Sequence, residues 1–424
     1  PVAKAIGRIY IRADGSLDPP TAPIQRNGNL YTLTGNITVD ADGIIIQRNN
    51  VTLDGAGYTL DSLRIGTNWV TGIDLSYRNN VIIKNMRITG FQKCAVYLNT
   101  SSYNTVFQNK ITDNEWGILL DPYSNGNLAL ENNIVNNWRG VYAVASNNNT
   151  VSRNNITNNR DYGILLESSA GNMLDNNNIL NGQYMGGVVL YASNSSTISE
   201  NNITSNNRGI TFDSSSRNLL QSNYIKGNGR GIQVYLSSNN SVYHNNFLNN
   251  TSQVYSYDST NIWDNGYPSG GNYWSDYNGV DLYGGPYQNK SGSDGMGDTP
   301  YIIDLTNQDH YPFVKPWLAH ARVRPDIIEG TLFPGETERD TVTVELPFPN
   351  VAKGDVVFVF DTTGSMRWII ANMQTKAVDM MNRIKATIPD VAFGVGSFSD
   401  YPHSYNSYGY SDQYGFPGDQ AFKM

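Results

Sequence analysis

Charge, cysteine, histidine and long apolar runs are all scarce in this 424-residue chain. Charged residues make up 16% of it, 29 basic against 37 acidic, for a net charge of −8. No basic patch or aromatic-plus-arginine cluster is present to neutralise phosphates, which argues against a nucleic-acid partner. No run of about 18 apolar residues offers a membrane span. The single cysteine, Cys94, excludes a disulfide within the chain, leaves the redox compartment open, and is expected to be a buried structural thiol beside Ala95. Stability has to come from a packed core. The chain begins at Pro1 without a methionine, which fits an expectation of export with the signal already removed.

Periodicity is what the chain has instead. From Ile88 to Phe247 it repeats every 22 to 24 residues: Ile88, Ile111, Ile134, Ile156, Ile179, Ile203, Ile225 and Phe247 form one apolar column. Ile73, Ala95, Ile118, Val141, Ile164, Val188, Ile210, Ile232 and Val254 form another, mostly after a glycine. Helical solenoids need roughly 33 residues or more per unit, and this repeat is shorter and rich in β-branched residues and asparagine. Each copy holds short alternating apolar segments between Asn/Ser/Gly corners, the pattern of strands. The predicted fold is mainly β, a right-handed parallel β-helix whose coils stack at about 4.8 Å.

Asparagine columns mark the corners. Two positions before the first apolar column stand Asn109, Asn132, Asn154, Asn177, Asn201, Asn223 and Asn245. Seven before it stand Asn104, Asn127, Asn149, Asn172, Ser196, Asn218 and Asn240; three after it stand Asn114, Asn137, Asn159, Gly182, Asn206, Asn228 and Asn250. Asparagine tolerates the backbone of tight corners, and its amide can donate to one coil while accepting from another.

Five segments follow: an N-terminal cap over 1–47, the β-helix over 48–262, an aromatic, Gly-rich C-terminal cap over 263–318, a β connector over 319–352, and an α/β segment over 353–424. The coils are read from Asn50 on, with a longer loop around Arg64 to Trp69.

The stretch Ile9 to Pro20, the run Asp54-Gly55-Ala56-Gly57-Tyr58-Thr59-Leu60 and the following coils resemble the parallel β-helix surface proteins with PbH1 repeats common in archaea. These are related in pattern to NosD-type periplasmic copper proteins. Gly271-Asn272-Tyr273-Trp274-Ser275-Asp276-Tyr277, Asp294-Gly295-Met296-Gly297-Asp298-Thr299-Pro300-Tyr301 and Asp309-His310-Tyr311-Pro312 extend the likeness, which covers roughly residues 6 to 317. Copper sites want clustered His, Met or Cys, whereas His244, His310, His320 and His403 are scattered. Asp294 and Asp298 could hold Ca²⁺ among glycines; the simpler alternative is a turn closed by side-chain hydrogen bonds.

Asp355 to Asp361 reads as a buried parallel strand, followed by an amphipathic helix ended by Pro389 and a second strand over Val391 to Phe398. This segment resembles the start of a von Willebrand factor A domain. The resemblance implies a Mg²⁺ or Ca²⁺ site in which Asp361, Thr363 and Ser365 take the positions of that family's metal-binding loop.

Asn-x-Ser/Thr triplets begin at Asn36, Asn50, Asn99, Asn148, Asn155, Asn194, Asn202, Asn239, Asn249, Asn250 and Asn289. Asn155 and Asn202 should face outward, where N-linked glycans leave a core undisturbed. Leu119, Tyr142, Leu165 and Val189 should form an outward apolar stripe, a partner surface unless a loop covers it. The expectation is therefore a non-enzymatic extracellular or cell-surface protein, structural or adhesive, self-associating into a filament, sheath or surface layer and open to other surface proteins or glycans. The alternative is a carbohydrate-binding or carbohydrate-active β-helix. Glycosidase chemistry needs two carboxylates on adjacent coils at one face, whereas lyase chemistry would want Asp ligands for calcium plus an Arg or Lys base. Among Glu115, Asp121, Glu131, Asp161, Glu167, Asp175, Glu200 and Asp213, Asp121 and Glu167 share a corner two coils apart, about 10 Å. Arg139, Arg208 and Arg230 share a column.

Overall fold

A computed structural model describes residues 7–63, 69–318, 322–324, 343–345, 353–361, 378, 381–382 and 390–398. The chain divides into two compact units, Pro1–Ala321 and Arg322–Met424.

The first unit is a parallel β-helix. Each coil contributes one strand to each of three sheets of twelve, eleven and eleven strands, and strands neighbouring in a sheet come from successive coils. The long, twelve-stranded sheet takes six-residue strands from most coils: Cys94–Asn99, Trp116–Asp121, Arg139–Val144, Tyr162–Glu167, Gly186–Tyr191, Arg208–Asp213, Arg230–Tyr235 and Ser252–Tyr257. The other two sheets take three-residue strands such as Thr150–Ser152 and Asn155–Thr157. Successive isoleucines of the first apolar column pair in register, as in Ile134↔Ile156 and Ile156↔Ile179, and are fully buried. Burial of these stacked aliphatic rows is the main driving force.

Two register details differ from the periodic reading. Val96, not Ala95, aligns with Ile73 and Ile118, so Ala95 occupies the column that elsewhere holds glycine. Leu60 extends the first apolar column one coil before Ile88. The stack also starts before Asn50: Leu30–Leu33, Ile37–Val39 and Ile44–Ile46 already supply one strand to each sheet. That coil lacks corner asparagines, which is why its period is hidden. Ile9–Ile11 adds in parallel to Ile44–Ile46, and Leu17–Asp18 closes that edge antiparallel.

The corner asparagines are not the strained residues. Positive φ falls on the residue before each of them, whatever its type: Gln108 (53°), Glu131 (54°), Arg153 (53°), Asn176 (52°) and Glu200 (54°) precede Asn109, Asn132, Asn154, Asn177 and Asn201. The buried asparagines are there for their amides. Asn132 Nδ2 donates to Asn154 Oδ1 (3.0 Å) and to the Val106 carbonyl (2.8 Å), and its backbone N–H donates to the same Oδ1 (2.8 Å). The pattern runs on through Asn177, Asn201, Asn223, Asn245 and Asn272. A fourth ladder, of serines, runs from Ser101 through Ser124, Ser146, Ser169, Ser193, Ser215 and Ser237 to Ser259. Gly182 interrupts one asparagine column, and there Gly182 N–H donates across to Asn206 Oδ1.

Beyond residue 263, Tyr273–Trp274 adds in parallel to the third sheet. Phe247, Trp274 and Tyr301 stack at 4.4 Å steps, continuing the isoleucine column in rings. The ladder through Asn272 ends on the buried Asp309 carboxylate, which accepts from Asn272 N–H and Trp274 Nε1–H.

In the second unit Arg322–Arg324 pairs antiparallel with Thr343–Glu345. Lys353–Asp361 pairs in parallel with Asp390–Phe398. Asp361 ends the first of these strands; Thr363 and Ser365 lie outside the described residues, as do His320 and His403.

Candidate functional site

The outer side of the long sheet is the most chemically varied surface of the β-helix. Its strands are six residues long in most coils, and their first, fourth and sixth positions form three columns on the outer side. The middle column reads Tyr97, Leu119, Tyr142, Leu165, Val189, Thr211, Gln233 and Tyr255. Asp121, Glu167, Tyr191, Asp213, Tyr235 and Tyr257 stand along one edge, and Trp116, Arg139, Tyr162, Arg208 and Arg230 along the other.

Two tyrosine–carboxylate pairs are built into this surface. The Tyr97 phenol donates to Asp121 Oδ2 (2.6 Å), and the Tyr142 phenol donates to Glu167 Oε2. Burial, then the carboxylate acceptor, raises both phenols well above their ordinary value. Burial raises Tyr162 likewise. Tyr97 and Tyr142 are therefore held as hydrogen-bond donors, and none of the three phenols is poised as a base.

Rings and a cation fill the space between. Tyr162 packs against Tyr142 at 6.2 Å, and Trp116 against Trp69 at 5.9 Å, with Trp69 66% exposed. The Arg139 guanidinium lies 5.4 Å from Trp116 and 5.7 Å from Tyr162. It is neutralised on both sides, by Glu115 (3.1 Å) and Asp161 (3.0 Å). Lys93 sits 3.5 Å over the ring of Tyr97. Farther along, Arg230 lies over Tyr255 (4.4 Å), and Tyr235 stacks on Tyr257 (5.0 Å). Such a surface offers faces for stacking, paired acids and donors for hydroxyls, and no preassembled acid–base couple.

The structure brings some expected residues together and separates others. Leu119, Tyr142, Leu165 and Val189 do align on consecutive coils, but Leu119 is only 3% exposed and the Tyr142 hydroxyl is engaged. Asp121 and Glu167 share a column; Glu115 and Asp161 flank Arg139 at the neighbouring corner. Trp69, Tyr97, Trp116 and Tyr162 did not stand out by type, because a coil period of 22 to 24 residues mixes them with Leu, Arg and Gly at equivalent positions.

The carboxylates of the C-terminal cap point at backbone amides. Asp298 accepts from the N–H groups of Leu282 and Tyr283, and Asp294 from those of Gly285 and Met296. Among the described residues no cluster of three or more His, Cys, Asp or Glu could hold a metal ion. His244 stacks on Trp317 at 3.8 Å with its pKa lowered by burial, and His310 pairs with Asp264 (2.8 Å). The Cys94 thiol is fully buried and pushed up to about 12 by desolvation.

Of the asparagines heading glycosylation triplets, Asn36, Asn50, Asn148, Asn239, Asn249 and Asn289 are exposed. Asn99, Asn155, Asn194 and Asn202 are half-buried. Asn155 and Asn202 do face outward, but within a second amide ladder: Asn155 donates to Asn133, Asn178 to Asn155 and Asn202 to Asn178. Asn250 differs from the rest. It is a buried rung whose amide donates to the Ile225 carbonyl and Gln253 while accepting from Asn228, so a glycan there would break the ladder.

Residues 122–279 match the family described as periplasmic copper-binding protein (NosD), and residues 24–179 match the right handed beta helix region. No curated protein is similar enough in sequence to match. Among solved structures, the periplasmic alginate epimerase AlgG is similar at 15% identity over 61% of this chain and 84% of its own, with a TM-score of 0.36. The A-module of the mannuronan C-5 epimerase AlgE4 from Azotobacter vinelandii gives 15% identity, 60% and 89% coverage, and 0.39. Pectate lyase Pel9A gives 14%, 56% and 70%, and 0.38. Likenesses this slight carry nothing about chemistry.

Proposed function

We propose that this chain is a non-enzymatic carbohydrate-binding β-helix protein acting outside the cytoplasm, and that the outer face of its long sheet holds an extended sugar polymer. The supporting observation is the run of rings and tyrosine–carboxylate pairs along the helix axis from Tyr97 to Glu167. Rings stack on the apolar faces of sugars, while acids that already accept one phenol keep lone pairs for sugar hydroxyls. The coil rise, about 4.8 Å, is close to the length of one extended hexose residue, so a polymer lying along the axis keeps step with the coils. An extracytoplasmic setting agrees with the periplasmic family matched over 122–279.

Binding is favoured over cleavage by geometry. Glycosidic hydrolysis uses carboxyl groups roughly 5 to 9.5 Å apart with one held protonated. Asp121 and Glu167 are separated by two coils, and each is tied to its own phenol. Copper handling has less to stand on: the Cys94 thiol is sealed in the core, His244 of the last coils is stacked on Trp317, and His310 of the cap is paired with Asp264. Self-assembly through the Leu119 to Val189 stripe is likewise weakened by the burial of Leu119.

Affinity electrophoresis through gels carrying neutral, N-acetylated or uronate polymers tests the reading. Retardation by at least one polymer is expected, weakened about tenfold by Trp69→Ala or Trp116→Ala, as expected for one lost stacking contact of about 1.4 kcal/mol. Unretarded migration in every gel, or variants that bind as well as the parent, would overturn it.

A further inference from the structure

The outer face repeats on two coils as well as on one. Trp116-Gly117-Ile118-Leu119-Leu120-Asp121 returns 46 residues later as Tyr162-Gly163-Ile164-Leu165-Leu166-Glu167, and 46 residues later again as Arg208-Gly209-Ile210-Thr211-Phe212-Asp213. The coil preceding each of the first two supplies the tyrosine, Tyr97 or Tyr142, that donates to the acid. A ring, a leucine and a phenol-bound carboxylate therefore recur at two-coil steps, about 10 Å, although what each copy exposes differs: Trp116 is half-buried beside a buried Leu119 in the first, and Leu165 is half-buried beside a buried Tyr162 in the second. The third copy lacks both the ring and the tyrosine. There Thr211 is 5% exposed, and its hydroxyl, in the outward column, has no partner.

Charge narrows the occupant. Around the two complete units the face carries Glu115, Asp121, Asp161 and Glu167 against Lys93 and Arg139, and Arg139 is already paired twice. Arg160 lies round the corner, over Trp138 and Tyr184. A polymer of uronic acids would bring a carboxylate per residue to a surface with surplus carboxylates of its own, which is repulsive. Hydroxyl and amide N–H donors suit the same acids. In an extended 1,4-linked chain with equatorial bonds, successive residues turn over, so every second residue presents the same edge.

We infer that the two units at Trp116–Asp121 and Tyr162–Glu167 are paired subsites, two coils apart, each presenting a carboxylate beside one half-buried apolar side chain, for alternate residues of an extended neutral or N-acetylated 1,4-linked polysaccharide. This rests on the carbohydrate-binding reading above and adds the class of polymer and the number of residues bound. An oligomer must reach three residues to place alternate residues in both subsites. Its affinity then gains a second contact without a second association step.

Calorimetric titration of the full chain with β-1,4-linked N-acetylglucosamine oligomers of two to six residues, and with mannuronate oligomers of the same lengths, tests it. N-acetylglucosamine oligomers should bind, with a rise of at least tenfold between the dimer and the tetramer or pentamer. The double variant Tyr142→Phe/Glu167→Gln should lose that rise while keeping dimer affinity within about twofold, and Tyr97→Phe/Asp121→Asn should do the same. Tighter binding of mannuronate oligomers, sensitive to Trp116→Ala, would overturn the polymer class and leave the binding face standing. Affinity independent of length would overturn the paired subsites. Binding by neither series, with circular dichroism confirming that each variant is folded, would sink both this inference and the reading it rests on.

Discussion

At the scale of single residues, the corners of this fold join a costly backbone to a side chain that compensates it. A non-glycine residue in the left-handed region costs roughly 1–2 kcal/mol, and every coil contains several, such as Asn176 (φ 52°) and Glu200 (φ 54°). The next residue supplies the offset. Asn177 donates from its backbone to Asn201 Oδ1 (2.8 Å) and from Nδ2 to Val151 O (2.7 Å) and Asn201 Oδ1 (3.0 Å), while Asn154 donates to it. Asn177→Ala strands several buried polar groups and should lower unfolding stability by about 3 kcal/mol in denaturant titrations. Asn176→Gly, one position earlier, should change it by less than about 1 kcal/mol, because glycine accepts that φ freely. Equal effects at the two positions would mean that strand pairing alone fixes the corner. Cys94 gives a second measurement at this scale. Its thiol is fully buried and pushed up to about 12, so alkylating reagents should leave it unmodified in the folded protein and label it fully in denaturant. Rapid labelling of the native chain would show that the coils around Cys94 open readily.

At the scale of elements, what could be read from the sequence was whatever repeats on the coil period. The isoleucine and asparagine columns placed the three-sheet stack and its vertical neighbours, because each position meets the same surroundings in every coil. The first coil, Leu30 to Ile46, escaped because it buries the same aliphatics without corner asparagines. The serine ladder escaped because serine is also common at exposed turns. The outer face of the long sheet was half legible: Asp121, Glu167 and Arg139 stood out by charge, whereas their tyrosine and tryptophan partners follow a two-coil period. Glycine at the start of each long strand shows what the coil period encodes. A Cβ on Gly163 would lie 2.7 Å from the Gly187 carbonyl and 2.8 Å from Ile179 Cγ2. Gly163→Ala should therefore cost about 1–3 kcal/mol, seen as a lower denaturation midpoint; a neutral result would mean that the coil can widen there to accept the methyl group that Ala95 carries in the same column. The cap adds a pH dependence. Burial of Asp309 raises its carboxyl to about 7, only partly countered by the Asn272, Trp274 and Tyr311 donors. The folded state then holds this proton more tightly than the unfolded chain, so its contribution is greatest in acid and is lost as pH rises through about 7. Thermal melts should show the cap less stable at pH 8 than at pH 5.5, with that difference reduced in Asp309→Asn; an unchanged pH profile in the variant would assign it to other groups.

At the scale of the whole β-helix, the ends set the main hazard. A stack of parallel coils carries three strand edges at each terminus, all able to template pairing with another chain. At the first end, Leu17–Asp18 turns the outermost strand of the long sheet into an antiparallel pair, and the hairpin of Ile24–Asn27 with Leu30–Leu33 does the same for the second sheet. At the other end the rings of Phe247, Trp274 and Tyr301 close the interior, and Asn307 and Asp309 accept the last rungs of two amide ladders. The cap is thus both a hydrophobic plug and the terminus of the polar ladders. Removing residues 263–318 and all that follow should leave coils that still pair internally but expose Phe247 and the edges beneath it. Such a chain should elute as concentration-dependent oligomers in size-exclusion chromatography with light scattering, while Trp274→Ala in the full chain should stay dispersed and lose about 3–5 kcal/mol of stability. A truncated chain that remained monomeric would mean the last coil protects its own edge, and the cap would then have to be explained by something other than closing the stack.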